Sequence, residues 1–239
     1  MKKLSSITAF FPAFNDGGTI SSMILSAIIT LPIITDDYEV IVVNDGSVDY
    51  TAQMLTELEK VYPQLRIITH TSNKGYGAAL ITGFLSSKKD WIFYTDGDAQ
   101  YDPREMVNLV NAVESDIDVV NGYKTSRRDP YYRLLIGRLY HHIVCFLFNL
   151  KLKDVDCDFR LIKRSVFDEV TLHSTSGTIC LEMVKKFQDA GYKFAEVPVS
   201  HYHRAYGKSQ FFNFRRLLKT GVQLMLLWRE LIIKNRKTR

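Results

Sequence analysis

Asp96-Gly97-Asp98-Ala99-Gln100 follows directly on the apolar run WIFYT. Two carboxylates two residues apart at a strand end can turn toward one cation, Gln100 adds a neutral oxygen, and Gly97 lets the backbone approach closely. Such oxygen donors suit a hard divalent ion, Mg²⁺ or Mn²⁺, above all one that bridges substrate phosphates. Surface turns also select Asp and Gly, so the pair gains its weight from position. It stands in series with Asn15-Asp16-Gly17-Gly18, Asn44-Asp45-Gly46-Ser47 and Asn73-Lys74-Gly75, each placed just behind an apolar run. Asp49, in SVDYT, has a simpler reading: it or Ser47 caps the helix that opens there.

Other chemistries fit less well. Gly75-Tyr76-Gly77-Ala78-Ala79-Leu80 begins like a dinucleotide fingerprint, but Leu80 stands where a third small residue is needed and the segment follows a third strand. NAD binding is excluded, although a glycine-rich helix entry still suits phosphate or sugar. His141-His142 shows no Glu or Cys at metal spacing, and His201 and His203 alternate along an expected strand. No Ser/His/Asp set has a nucleophile elbow.

The elements that must position these loops alternate. Apolar runs at Ile7–Phe14, Glu39–Val43, Arg66–Thr69 and Trp91–Thr95 read as buried strands, with a further strand at Asp118–Tyr123. Helical stretches near Thr19–Thr30, Thr51–Val61 and Gly77–Ser87 separate them. The pattern predicts a parallel sheet covered on both faces, with ligands beyond the carboxyl ends of the strands.

The chain of 239 residues is 46% hydrophobic and 24% charged, which excludes a disordered tail or a fibre. Three cysteines, Cys145, Cys157 and Cys180, form no metal-type spacing and suggest a reducing compartment. The opening MKKLSSITAFFPAF lacks a small-residue cleavage site and reads as a first strand rather than a signal peptide. Charge is divided: residues 1–120 hold eight Lys and Arg against sixteen Asp and Glu, whereas residues 121–239 hold twenty-three against ten. Cation binding in front and a polyanion or anionic membrane behind would account for the split.

Residues 131–150 form an aromatic-rich helical segment, and a second helix covers about Phe211–Ile233. The first has too short an uncharged stretch to span a bilayer and the second is interrupted by charge. Both suit amphipathic helices on a membrane surface, or equally a core helix and a terminal packing helix. Without repeats or linkers, 1–239 is expected to be one domain, with residues 1–125 as its metal half and 126–239 as its membrane-facing half.

In order, PAFND (Pro12–Asp16), VVNDGSVDYT (Val42–Thr51), NKGYGAA (Asn73–Ala79), DGDAQYDP (Asp96–Pro103) and RAYGKS (Arg204–Ser209) resemble the family 2 glycosyltransferases. Within them the chain is most similar to the dolichyl-phosphate mannose synthase and polyprenyl-phosphate glycosyltransferase group, over about Ile7 to Phe212. The resemblance implies a GT-A fold, an α/β architecture with a Rossmann-like, mainly parallel sheet, to which the C-terminal amphipathic helix is added. It places Pro12, Phe14, Asp16, Val43 and Asp45 around the nucleotide of a nucleotide-sugar donor, with Asp45 accepting from the base. Asp96, Gly97 and Asp98 would lie by the ribose and diphosphate, Asp98 with Asp96 and Gln100 would hold Mg²⁺ or Mn²⁺, and Lys124, Arg204 and Lys208 would face the phosphates. The family's usual Tyr-Asn-Glu is Phe14-Asn15-Asp16 here, its DAD is DGD, and Gln210 stands where a basic residue commonly follows Gly-x-Ser.

The reaction implied moves a hexose, GDP-mannose or UDP-glucose being the donor types, to a polyprenyl or dolichyl phosphate with inversion. A lipid phosphate is already ionised at pH 7 and needs no base to become a nucleophile. Arg127, Arg128, Arg133 and Arg138 are candidates to hold it bidentately. In DVDCDFR (Asp154–Arg160), Asp156 and Asp158 can orient acceptor or sugar hydroxyls or pair with Arg160, and Asp156 is the favoured one. Glu182 faces the sugar or the solvent. Asp98, Asp96, Arg204 and Asp156 are thus expected to carry the reaction at the cytoplasmic face of a membrane, with room for a small membrane-anchoring partner. The alternatives are a glycan or other non-lipid acceptor, and a non-catalytic basic protein that binds membrane or nucleic acid. No RNA-binding aromatic signature or helix-turn-helix supports a nucleic-acid partner.

Overall fold

In the computed structural model the described residues are 2–125, 131–204, 206 and 214–234, apart from the side chains of 131–136, 138–140, 214–219 and 234. Seven strands form one sheet in the order β3-β2-β1-β4-β6-β5-β7. They are β1 (Ile7–Ala13), β2 (Tyr38–Asn44), β3 (Leu65–Thr69), β4 (Trp91–Thr95), β5 (Val119–Lys124), β6 (Phe159–Lys163) and β7 (Phe194–Val199). The first four are parallel to one another, as the alternation predicts. β6 runs antiparallel to both β4 and β5, and β7 lies parallel to β5.

Every residue of β1 is buried, because both faces of the sheet are covered. Phe11 and Ala9 pack toward α1 (Ile20–Ile34) and α4 (Met106–Asn111), whereas Phe10 packs toward α3 (Tyr76–Ser86) and α7 (Ile179–Asp189). Pro12 is tolerated in this central strand because β1 pairs with β4 only as far as Phe10; beyond that point Pro12 needs no donor, and its carbonyl accepts the Gly97 N–H at 3.2 Å. The helix α2 (Thr51–Val61) lies between β2 and β3, and the short α6 (Val166–Glu169) follows β6.

Helix α1 continues past Thr30 to Ile34 with Pro32 inside it. An interior proline costs about 3 kcal/mol, but Leu31 and Ile34 are fully buried in the core and the Thr35 N–H still reaches the Leu31 carbonyl at 3.0 Å. His201 and His203 lie beyond the end of β7 rather than along a strand.

The helix α5 (Tyr131–Phe148) and the helix α8 (Phe214–Trp228), which runs on into a wider turn at Arg229–Lys234, meet around Val144, Phe148, Leu227 and Leu231. Their inner faces are therefore core, while Phe146 (86% exposed), Met225 (66%) and Leu226 (59%) face outward. Among the described residues no helix is long and apolar enough to cross a membrane.

Candidate active site

The polar loops at the carboxyl end of the sheet are tied together before any ligand is considered. Asn15 adopts a left-handed conformation (φ 58°), which asparagine accepts more readily than most residues. Its amide donates to Ser47 Oγ at 3.0 Å and its side-chain oxygen accepts from Val48 N at 2.9 Å. Asp49 accepts from Thr51 N at 3.0 Å, the capping role read from sequence, and from Gly17 N at 3.2 Å, which fastens the β2 loop to the β1 loop. Ser47 spends its oxygen on Asn15 rather than on the helix.

Asp45, buried at the end of β2, organises the next loop. Its Oδ1 accepts from Lys74 N (2.9 Å) and lies 2.6 Å from His70 Nδ1, and its Oδ2 accepts from Gly75 N (2.9 Å). Gly75 has φ +100° and begins α3; a Cβ there would lie 2.5 Å from the Thr175 carbonyl oxygen, and one on Gly77 would lie 2.1 Å from that of Ser174. The glycines therefore admit another backbone segment. At the start of α3 the Gly77 N–H is taken by the Thr175 carbonyl at 3.0 Å.

At the end of β4, Gly97 is pinned by Pro12 and by Thr19, whose hydroxyl donates to the Gly97 carbonyl at 2.8 Å. Asp96 Oδ1 accepts from the Tyr76 hydroxyl at 2.8 Å. Asp98 Oδ1 accepts from Gln100 N at 2.9 Å, and its Oδ2 is held by the Arg204 guanidinium. Because β6 is antiparallel with Phe159 opposite Thr95, the segment that enters it, Asp154 to Asp158, arrives at this same end of the sheet.

The resulting cluster is acidic beyond its described partners. Burial pushes the Asp96 carboxyl well above the usual range, and the neighbouring Asp158 and Asp98 push it further. Burial likewise raises Asp98 against the opposing pull of Arg204. Asp16 is pushed up to about 6, mainly by burial, with the Phe14 N–H opposing. Asp156 also reaches about 6 through desolvation, with Lys124 opposing. Asp96 keeps part of its surface in water and Asp156 is exposed, so both are open to a ligand. Carboxylates that resist ionisation in isolation favour an incoming cation. No three His, Cys, Asp or Glu side chains among the described residues converge on one point. Asp96 and Asp98, as neighbouring oxygen donors, fit an ion that completes its shell with substrate phosphates and water, as Mg²⁺ commonly does.

The remaining residues of interest fall at different places. Phe14 is partly exposed beside Asp16, whereas the Val43 side chain is fully buried among Phe10, Ile41 and Leu80, so it can offer a ligand only its backbone. Lys124, at the end of β5, donates to the Asp156 carbonyl at 3.0 Å and lies 3.7 Å from Asp154. Arg127, Arg128 and Lys208 lie outside the described residues, as do the side chains of Arg133 and Arg138 on α5. Gln100 turns its side-chain NH₂ to the Tyr202 carbonyl at 3.2 Å.

Arg160 pairs with neither Asp156 nor Asp158. It is buried and donates to Asn121 Oδ1, the Tyr94 hydroxyl and the Val155 carbonyl at 2.5 Å each. Glu182 faces neither sugar nor solvent: it is buried, accepts from His173 N (3.0 Å) and Ser174 N (2.8 Å), and is paired with Lys186. His141 does have a cysteine within reach, Cys145 one turn on, at 3.5 Å from Nε2. His70 and Tyr76 escaped the sequence reading. No local signal marks His70, while Tyr76 stood inside a motif read for its glycines.

Three comparisons bear on this arrangement. The profile of glycosyl transferase family 2 matches residues 8–171. An undecaprenyl-phosphate 4-deoxy-4-formamido-L-arabinose transferase of Edwardsiella ictaluri (strain 93-146) is 26% identical over 88% of this chain and 64% of its own length, so the chain spans under two thirds of that relative. The protein of the same description from Enterobacter sp. (strain 638) is also 26% identical, over 94% of this chain and 68% of its own. Among solved structures, Mycobacterium tuberculosis glucosyl-3-phosphoglycerate synthase, in complex with Mn²⁺, UDP-glucose and phosphoglyceric acid, superposes with a TM-score of 0.71 at 18% identity, covering 95% of this chain and 79% of that one. That likeness establishes the GT-A fold.

Proposed function

The chain belongs to glycosyl transferase family 2, and we propose that it transfers one sugar, a hexose in our reading, from a nucleotide diphosphate to a polyprenyl phosphate with inversion. The observation that carries the proposal is the acidic end of β4, Asp96 and Asp98, facing a guanidinium on one side and the Asp154–Asp158 segment on the other. The relatives' descriptions name undecaprenyl phosphate as acceptor and a modified pentose as the sugar, which supports the acceptor class and leaves the sugar to experiment.

In this reading Asp96 and Asp98 hold Mg²⁺ or Mn²⁺, which when bound would neutralise charge on the departing nucleoside diphosphate. Arg204 supplies a second positive charge at the same place. Pro12, Phe14, Asp16 and the backbone at Val43 line the nucleotide side, and Asp45 shapes it by holding the Lys74–Gly75 loop. Lys124 and Asp156 stand on the acceptor side. The acceptor phosphate is already an oxyanion and requires no base, so Asp156 orients rather than deprotonates. Lys208, Arg128, Arg133 and Arg138 remain proposed phosphate ligands. The outward Phe146, Met225 and Leu226 on neighbouring helices suit contact with the lipid surface where such an acceptor resides. We place that surface at the cytoplasmic face.

The test is label transfer from a panel of nucleotide sugars, pentose and hexose, to undecaprenyl phosphate with Mg²⁺, Mn²⁺ or EDTA. Label entering the organic phase from one donor and lost with EDTA supports the proposal. Nucleotide binding without lipid labelling from any donor refutes the acceptor.

A further inference from the structure

Beyond β7 the chain is fastened on both sides of Arg204. Before it, Tyr202 N donates to the Gln100 carbonyl at 2.8 Å and the Gln100 side chain returns a bond to the Tyr202 carbonyl at 3.2 Å. After it, the Tyr206 ring lies over Gly18, where a Cβ would be 2.5 Å from its Cδ2, and meets the Tyr50 ring edge-on with centroids 6.1 Å apart. The strap thus spans from the β4 loop to the β1 and β2 loops and holds the Arg204 guanidinium on Asp98 Oδ2. Arg204 also offsets the negative charge at Asp16.

On the reading of Asp98 as a metal ligand, we propose that Arg204 is a latch on the cation site, so that a divalent cation and a nucleoside diphosphate bind as one unit and not separately. A metal ion on Asp98 Oδ2 would set its double positive charge beside the guanidinium and weaken that ion pair. A cation arriving alone must work against Arg204, which loses its direct partner and keeps only the more distant Asp16. A diphosphate arriving with the cation offers the guanidinium a new bidentate partner within reach of the same strap. The strap then converts loss of one ion pair into gain of another, which is positive coupling between the two ligands.

The experiment is Mn²⁺ binding by electron paramagnetic resonance, with and without GDP or UDP, on the intact chain. For the native protein, Mn²⁺ alone should bind at least about fivefold more weakly than Mn²⁺ with the preferred nucleotide. Arg204→Gln should tighten binding of Mn²⁺ alone and weaken binding of nucleotide with Mn²⁺, so that one substitution moves the two affinities in opposite directions. Tyr206→Ala, which loosens the strap and leaves every charge in place, should shift Mn²⁺ affinity in the same direction by less. If Arg204→Gln leaves the affinity for Mn²⁺ alone unchanged or lower, the latch is refuted. If the native protein binds Mn²⁺ equally well without nucleotide, it is refuted too. If no Mn²⁺ binds under any condition, the donor-site reading itself falls, and the latch with it.

Discussion

Replacing Asp45 with asparagine separates two roles that this residue can have. The resemblance assigns its carboxylate to the nucleotide base, whereas the structure shows it holding a loop. Both backbone donors of the loop, Lys74 N and Gly75 N, bind different oxygens of the same carboxylate, and His70 Nδ1 lies on the first. Asparagine has one oxygen. Set toward Lys74 and His70, it turns its NH₂ on the Gly75 N–H. Flipped, it satisfies Gly75 and can donate to a re-tautomerised His70, whose Nε2–H then faces Thr82 Oγ1 at 3.0 Å, but the Lys74 N–H is orphaned. Either way one backbone donor loses its partner, at about 1–3 kcal/mol, and the surviving bonds lose charge assistance, for a total of about 2–4 kcal/mol. In a chain of this size that lowers Tm by roughly 4–16 °C. Circular dichroism melts of Asp45→Asn without nucleotide measure this directly. An unchanged Tm accompanied by altered GDP-versus-UDP preference would refute the argument and return Asp45 to the base.

Other consequences follow from the same geometry. Gly75→Ala, with φ +100° and a Cβ 2.5 Å from a backbone oxygen, should cost about 1–3 kcal/mol, whereas Gly97→Ala, with contacts no closer than 3.0 Å, should cost under about 1 kcal/mol; urea titration of the two variants tests the contrast. The folded-state pKa of Asp16, about 6, lies above its ordinary value of 3.8, so proton binding favours the folded state: the associated stability is complete below about pH 4 and lost as pH rises through 6. Asp16→Asn should therefore gain on the native protein between pH 4 and pH 7 by an amount of order 2 kcal/mol, and parallel Tm curves for the two proteins would contradict this. Arg160→Leu strands the Tyr94, Asn121 and Val155 oxygens in the core and should cost about 3–5 kcal/mol in urea unfolding; a loss below about 1 kcal/mol would show that the buried guanidinium is replaceable.

Much of the scaffold was legible because local signals suffice for it. Apolar runs such as ITAFFPA and WIFYT end where polar residues begin, and in a parallel sheet each such ending falls on the same side. The parts that stayed hidden depend on pairing. Nothing local in DVDCDFR states that it enters a strand running backwards between β4 and β5, so the position of Asp158 opposite the end of β4 was unreadable. Nor did NKGYG reveal that its glycines make room for Ser174 and Thr175, a hundred residues away. Val43 shows the opposite failure: a motif position that suggests ligand contact carries a side chain spent entirely on the core.

The reversal of β6 decides the sign of the charge at the site. Its two ends differ sharply, with Asp154, Asp156 and Asp158 before it and Lys163 and Arg164 at its close. Running antiparallel, it carries Lys163 to the far end of the sheet, where the ammonium bonds Asp118 at 2.9 Å, and brings the carboxylates beside Asp96. A parallel β6 would have set Lys163 and Arg164 beside Asp96 and Asp98, and such a site would neutralise itself. Because the strand is reversed, the carboxylates exceed the described cations facing them, and one arginine from the strap is left to hold Asp98. That imbalance is what would make a divalent cation welcome there and, on the latch we propose, set it against Arg204.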